Sequence, residues 1–178
     1  MNQRRKIQLF IAMSLDGYIA TKEDSLDWLF SVEGEGDNGY SSFYEGIDTI
    51  IMGKRTYDWV MKEMKGEFPY QNKKCFVFSR SPHPHTEFVQ FQSGNVTEFV
   101  HTLKQSEGKG IWIVGGGEVL HTFLKEKLVD EMIVTIAPVI LGEGIPLFKE
   151  GDYSMDLHLK ETNRYNQFVE LKYDVKKA

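Results

Sequence analysis

Short apolar runs set between glycine, proline and polar clusters divide this chain into strand-like and helix-like stretches that alternate. Ile7 to Ser14 predicts a strand, Leu15-Asp16-Gly17 a turn, and Tyr18-Ile19-Ala20 a further short extended segment. Tyr40 to Glu45 predicts a helix. Asp48 to Met52, stopped by Gly53, predicts a second buried strand, and helical spacing follows from Thr56 to Met64. Cys75 to Phe78 predicts the third strand, Pro82 and Pro84 break the chain, and Phe88 to Phe91 predicts a fourth. Thr97 gives a helix-start signal for Thr97 to Gln105, with apolar residues at Phe99, Val100 and Leu103. Ile111-Trp112-Ile113-Val114 then reads as a strand buried on both faces that runs into Gly115-Gly116-Gly117. From Glu118 to Lys127, Val119, Leu120, Phe123 and Leu124 keep helical spacing. Met132 to Ile136 and Phe168 to Val175 predict further strands. The last one alternates Phe168, Glu170, Lys172 and Asp174 against Val169, Leu171, Tyr173 and Val175.

Strands alternating with helices up to about residue 125 imply a mostly parallel sheet covered on both faces, and the strand-rich remainder implies an antiparallel edge. The fold class is α/β. At 178 residues, with 41% hydrophobic and 13% aromatic residues, the chain (1–178) reads as one domain with a substantial core. Glu33 to Gly39, acidic and glycine-rich, reads as an exposed mobile loop.

Composition narrows the function classes. No apolar run approaches the ~18 residues that a membrane span needs, and Met-Asn-Gln-Arg-Arg-Lys at the start lacks a signal peptide's apolar segment. The expectation is a cytoplasmic protein. A net charge of −5 argues against broad attachment to nucleic acid or acidic membrane. The single cysteine, Cys75, excludes an internal disulfide and lies in an apolar run that suits packing better than catalysis. No metal site is expected, because His83 and His85 share a proline-rich turn without further ligands nearby, and His101, His121 and His158 are scattered.

The candidate chemistry lies at strand ends. In parallel α/β sheets ligands sit beyond the carboxyl ends of the strands, and three such ends carry Gly53-Lys54-Arg55-Thr56, Ser79-Arg80 and Gly115-Gly116-Gly117. Each offers a phosphate what it needs: backbone amides beside glycine, a hydroxyl, or a cation. Adjacent glycines also form ordinary tight turns, and Lys54 and Arg55 also suit a solvated surface. The convergence of three ends on one sheet edge favours an anion site. Trp112 suits the core better than the site.

Met52-Gly53-Lys54-Arg55-Thr56-Tyr57, Phe78-Ser79-Arg80 and Ile113-Val114-Gly115-Gly116-Gly117-Glu118-Val119, in this order and spacing, resemble dihydrofolate reductase. The segments Ile11-Ala12-Met13-Ser14-Leu15-Asp16-Gly17-Tyr18-Ile19-Ala20 and Ile136-Ala137-Pro138-Val139-Ile140-Leu141-Gly142-Glu143-Gly144-Ile145-Pro146-Leu147-Phe148 bring the chain nearer to one dihydrofolate-reductase-like family. This is the reductase domain of the bifunctional riboflavin-biosynthesis deaminase-reductase (RibD C-terminal domain). The deaminase motifs are absent. The resemblance implies a dihydrofolate-reductase-like three-layer sandwich, a homodimer joined through its C-terminal part, and NADPH-dependent reduction of a small substrate. That substrate is a ribosylaminopyrimidine phosphate or, alternatively, dihydrofolate; a nucleotide-binding module without turnover is the third reading.

The resemblance also implies site residues. Gly53, Lys54, Arg55 and Thr56 match a phosphate-contacting turn in which Thr56 caps the next helix. Ser79 and Arg80 match the 2′-phosphate site that favours NADPH over NADH. Gly115, Gly116 and Gly117, with Glu118 opening the helix, match the pyrophosphate turn, where a cis Gly115-Gly116 bond is implied. Ala12 and Ile19 match the nicotinamide contacts, and Thr135 matches a threonine near the substrate. For a catalytic carboxylate, back-counting from Gly53 lands on Asp37. Asp27, the second candidate for a catalytic carboxylate, matches the lid segment and offers a substrate contact, as does Trp28 beside it. Asp16 reads equally as a turn former or a substrate contact, and Gly142 as a bend near the substrate mouth. A pterin substrate requires a buried carboxylate facing the ring; a ribosyl phosphate requires basic residues.

Overall fold

A computed structural model describes residues 4–177; Met1, Asn2 and Gln3 of the N-terminal stretch, and Ala178, lie outside the described residues. The elements in chain order are β1 (Ile7–Ser14), β2 (Tyr18–Ala20), α1 (Asp27–Phe30), α2 (Tyr40–Glu45), β3 (Ile47–Gly53), α3 (Lys54–Glu63), β4 (Lys74–Phe78) and β5 (Val89–Gln92). There follow α4 (Val96–Gln105), β6 (Gly110–Gly115), α5 (Gly117–Lys125), β7 (Glu131–Ala137), β8 (Ile145–Pro146), β9 (Leu157–Tyr165) and β10 (Phe168–Val175).

Eight strands form one sheet in the order β5-β4-β3-β6-β1-β7-β10-β9. Its first six strands run parallel, while β10 pairs antiparallel with β7, and β9 with β10. The expected parallel sheet with an antiparallel C-terminal edge is therefore present. The short β2 and β8 pair with each other outside this sheet.

Continuous apolar runs suit strands covered on both faces, because successive side chains point to opposite sides. In β6, Ile111 and Ile113 pack beneath α4 and α5 with Val100, Leu120, Phe123 and Leu124. Trp112 and Val114 point the other way, to a second cluster where Phe43 and Tyr44 of α2 and Tyr57 and Met61 of α3 cover Ile50, Met52, Cys75 and Val77. Helices, sheet and helices make three layers. Cys75 is buried, and burial pushes its thiol up to about 12, so it stays neutral and packs.

Several boundaries differ from the sequence reading, each for a physical reason. Asn95, not Thr97, caps α4, its side chain accepting from the Glu98 N–H at 3.2 Å. Helix α3 starts two residues before Thr56, directly after the extended Gly53, and has no side-chain cap. Strand β9 was invisible because it is charged and largely exposed; its pairing with β10 makes it a strand. The four-residue α1 and two-residue β8 are too short to leave a periodic signal. In β10 the alternation inverts at its start: Glu170 is 1% exposed and Val169 is 42% exposed. Val169 and Glu170 stand on opposite faces of the strand, and Glu170 faces Asn163 and the α2 side.

Phe123 is fully enclosed between α5 and the sheet. Phe123→Ala is expected to destabilise the fold by about 3–5 kcal/mol, read as a lower denaturant midpoint at unchanged slope.

Candidate active site

Two turns meet at the carboxyl ends of β3 and β6. Met52 pairs with Gly115 in the ladder, which places Gly53 beside Gly116. A Cβ on Gly116 would lie 3.4 Å from both the Cα and N of Gly53 and 3.2 Å from Thr56 Oγ1. Gly116 also has a φ of 96°, a conformation that glycine adopts without the clash a side chain brings. The turns can therefore touch backbone to backbone. The Thr56 hydroxyl points at this junction instead of capping α3. No cis peptide bond occurs among the described residues; positive φ values of 143° at Gly115 and 96° at Gly116 turn the chain with a trans Gly115-Gly116 bond. The first N–H groups of α5 lie at this turn without intrahelical acceptors, at the positive end of the helix dipole.

A cavity of about 1070 Å³ opens above the junction. Ala12, Ile19, Gly53, Lys54, Arg55, Thr56, Ser79, Arg80, Gly115, Gly116, Gly117 and Glu118 all line it. Four separate stretches of sequence thus meet in one space. The cations there differ in their pairing. Lys54 Nζ bonds Asp58 at 2.6 Å, and Arg55 bonds Asp24 at 3.1 Å. Arg80 is exposed and has no ion-pair partner among the described residues. Lys149, which sequence reasoning missed, reaches across Gly117 and bonds Glu118 at 2.5 Å. That bond, and more weakly the charge of Arg80, holds the exposed Glu118 carboxyl below its usual range.

The remaining expected site residues do not line this cavity. Asp16 accepts the N–H groups of Leu141 at 3.1 Å and Gly142 at 2.8 Å, and the Ser14 hydroxyl at 2.6 Å. The Ser14 bond lowers its pKa most. Asp16 and Gly142 are thus brought together as a clamp between the β1–β2 turn and the segment after β7. Asp37 accepts from Ser41 N at 2.8 Å and Gly39 N at 3.1 Å, which holds the start of α2 and lowers its pKa, chiefly through Ser41. Asp27 is exposed at the start of α1. Trp28 is half-buried, its indole Nε1 enclosed without a partner among the described residues, while its neighbours Leu26 and Leu29 do reach the cavity. Thr135 is buried on β7, in register with Ala12 on one side and Glu170 on the other.

Sequence reasoning also missed the aromatic wall. Phe10, Tyr40, Trp59, Tyr70 and Trp112 line the cavity on its α2/α3 side. Trp112 is buried as expected, yet it is also a wall residue, fixed by its indole N–H donating to Phe10 O at 3.1 Å. Tyr40 and Tyr70 meet it at ring distances of 6.0 and 5.7 Å. No single sequence signal marks such residues, since an aromatic that lines a cavity has the pattern of one that fills a core.

Known proteins resemble this chain in sequence and fold. The uncharacterised protein YwjB of Bacillus subtilis (strain 168) is 49% identical over 170 residues, covering 95% of this chain and 97% of YwjB. The crystal structure of a Shewanella sp. PV-4 protein, provisionally assigned to riboflavin biosynthesis, superposes with a TM-score of 0.88 at 32% identity, covering 97% of this chain and 99% of that one. Dihydrofolate reductase from Enterococcus faecalis, solved with NADP(H) and RAB-propyl, superposes with a TM-score of 0.68 at 19% identity, covering 97% of each chain. The last likeness shows a shared fold: the three layers are dihydrofolate-reductase-like. Residues 5–170 match the RibD C-terminal domain, and with the near-complete coverage by its relatives this shows that the chain belongs to the RibD C-terminal domain family.

Proposed function

We propose that this chain is an NADPH-dependent reductase of a small heterocyclic substrate. The observation that carries the reading is the convergence of Ala12, Ile19 and three strand-end turns on one cavity. In this reading the pyrophosphate lies against Gly115–Gly117 and the first N–H groups of α5, which the Gly53–Gly116 contact leaves open to an anion. The unpaired Arg80 guanidinium, beside Ser79, takes the 2′-phosphate through its forked donors. Lys149 is the further cation. It exchanges Glu118 for the pyrophosphate, which lies closer to the helix dipole than a carboxylate 73% exposed to water.

Ala12 and Ile19 present small and apolar surfaces on which a nicotinamide ring lies flat. When bound, NADPH supplies the hydride chemistry. The chain's own part is to hold the dinucleotide along the strand ends, to align its ring with the substrate, and to keep water out with the aromatic wall and with Leu26 and Leu29. Asp27, on the same short helix as Leu29, enters as a substrate contact from the lid segment. The two substrates that the family resemblance names, a ribosylaminopyrimidine phosphate and dihydrofolate, share a planar ring of suitable size. The same resemblance carries a homodimer, and the composition carries the expectation of a cytoplasmic location; among the described residues no helix is long and apolar enough to cross a membrane. Its contact would use the β9–β10 edge, where Leu157, Leu159 and Val169 are exposed.

Titration with NADPH and NADH, read by quenching of Trp59 and Trp112, is expected to show NADPH binding at least about ten-fold tighter. Arg80→Ala is expected to weaken NADPH by about 1.5–3 kcal/mol and leave NADH unchanged, since charged hydrogen bonds carry that much. Lys149→Ala should weaken both cofactors alike, because the pyrophosphate is common to them. Equal loss of both cofactors in Arg80→Ala would remove the 2′-phosphate assignment. Light scattering is expected to give twice the chain mass of 20.6 kDa; a single-copy mass would end the dimer reading.

A further inference from the structure

The cavity has two chemically different ends. Its charged lining residues are Asp24, Lys54, Arg55, Arg80, Glu118 and Lys149, and each belongs to a strand-end turn or pairs with one. Lys54 and Arg55 open α3, and Trp59 lines the cavity one helical turn further on. The far end of the α2/α3 side, where Phe10, Tyr40, Tyr70 and Trp112 meet ring to ring, carries no charged lining residue. Trp112 lies three residues before Gly115 on β6, so this end sits about 10 Å down the strand from the phosphate turns. The total volume of about 1070 Å³ is at the top of the range of about 300–1,000 Å³ usual for one ligand, leaving room for a ring beside a cofactor.

The polar groups at this end are neutral. The Tyr40 and Tyr70 hydroxyls make no hydrogen bond within the described residues, whereas neighbouring Tyr44 donates to Asn72. Desolvation raises the pKa of both, Tyr70 to about 12, so both keep their protons and can donate. Lys73, which lies over the Tyr44 ring of α2, is held by the carbonyls of Tyr44 and Ile47 and does not line the cavity. The one carboxylate of α2, Glu45, is exposed and lines no part of the cavity, and Asp37 before the helix is fixed by the amides of Gly39 and Ser41. A phosphate or carboxylate buried here would meet no cation, and a protonated ring would meet no anion; either costs several kcal/mol.

We propose that the α2/α3 end binds an uncharged planar ring that carries hydrogen-bond acceptors and no phosphate or carboxylate. The ring stacks among Tyr40, Tyr70 and Trp112, and its acceptors take the tyrosine hydroxyls. This rests on the reductase reading above, which assigns the charged turns to the cofactor, and it sets aside both substrates that the family resemblance names, since one carries a phosphate and the other carboxylates.

Equilibrium dialysis of matched pairs tests it: uridine against uridine monophosphate, riboflavin against its monophosphate, and pterin against folate, each with and without saturating NADP⁺. With NADP⁺ present, at least one uncharged member is expected to bind about ten-fold or more tighter than its charged counterpart. Tyr70→Arg, which places a cation beside Trp112 at this end, is expected to reverse that preference, and Tyr40→Phe with Tyr70→Phe to weaken the uncharged ring several-fold. Equal or tighter binding of the charged members beside NADP⁺ overturns the proposal, as does failure of all three uncharged rings to bind. If NADP⁺ itself does not bind while the uncharged preference and its reversal by Tyr70→Arg persist, the cofactor reading fails and this one stands.

Discussion

The approach of Gly53 to Gly116 is the contact on which the site depends. Two parallel strands separated by one hydrogen-bond spacing each end in a turn to a helix, and side chains at both turns would force the helices apart. With glycine at both positions the backbones meet, α3 and α5 start at the same level, and Val119 packs against Gly53, where a Cβ would come within 3.0 Å of its Cγ2. The amides of both turns then face one opening. Thr56 completes the junction from α3 with a hydroxyl aimed at Gly116, so an anion seated there would be held by two elements of the sheet at once.

Parallel pairing extends this geometry across the sheet. Because β4, β3, β6 and β1 run in one direction, Ser79-Arg80, Gly53-Lys54, Gly115-Gly116 and Ala12 reach the same edge although they are far apart in sequence. The apolar alternation that builds the sheet also decides the rest of the cavity. Residues one step away from Ile111 and Ile113, namely Trp112 and Val114, face α2 and α3, where the helices stand far enough off to leave space. Phe10 and Trp112 of the aromatic wall thus lie on the same strands, β1 and β6, that carry Ala12 and the Gly115 turn to the charged edge.

This explains which half of the site was legible in the sequence. The charged end is written locally, as a buried strand followed by glycine and a helix, and the ten turn residues and two apolar residues that the resemblance names for a cofactor all line the cavity. The aromatic end is written nowhere locally. Phe10, Tyr40, Tyr70 and Trp112 come from four separate segments, and each alone has the pattern of a core residue. Lys149 follows the short β8 and reaches Gly117 only through the folded path of the chain, so no spacing rule finds it. The strands of the parallel sheet were legible because burial on both faces leaves continuous apolar runs. Strand β9 was not, because a solvated edge strand takes its conformation from its partner and leaves no pattern of its own.

Buried carboxylates, which a pterin substrate would require facing its ring, do exist in this fold, but on the other side of a wall from the aromatic end. Glu170 and Glu131 are both buried, on β10 and β7, and they line a separate cavity of about 230 Å³ with Gln8, Lys172 and Tyr165. Glu131 is kept ionised by Gln8 and Lys160 against the desolvation that opposes it. Asn163 donates to Glu170 at 3.1 Å. Between these carboxylates and the aromatic end stands Phe10, which lines both cavities and stacks on Phe43 with ring centroids 4.3 Å apart. An apolar ring pair of this kind cannot carry a proton or solvate a charge. The carboxylates therefore tie the antiparallel edge to β1 and leave the aromatic end without an anion, so that under the proposed reading discrimination there falls to shape, stacking and the neutral donors of Tyr40 and Tyr70.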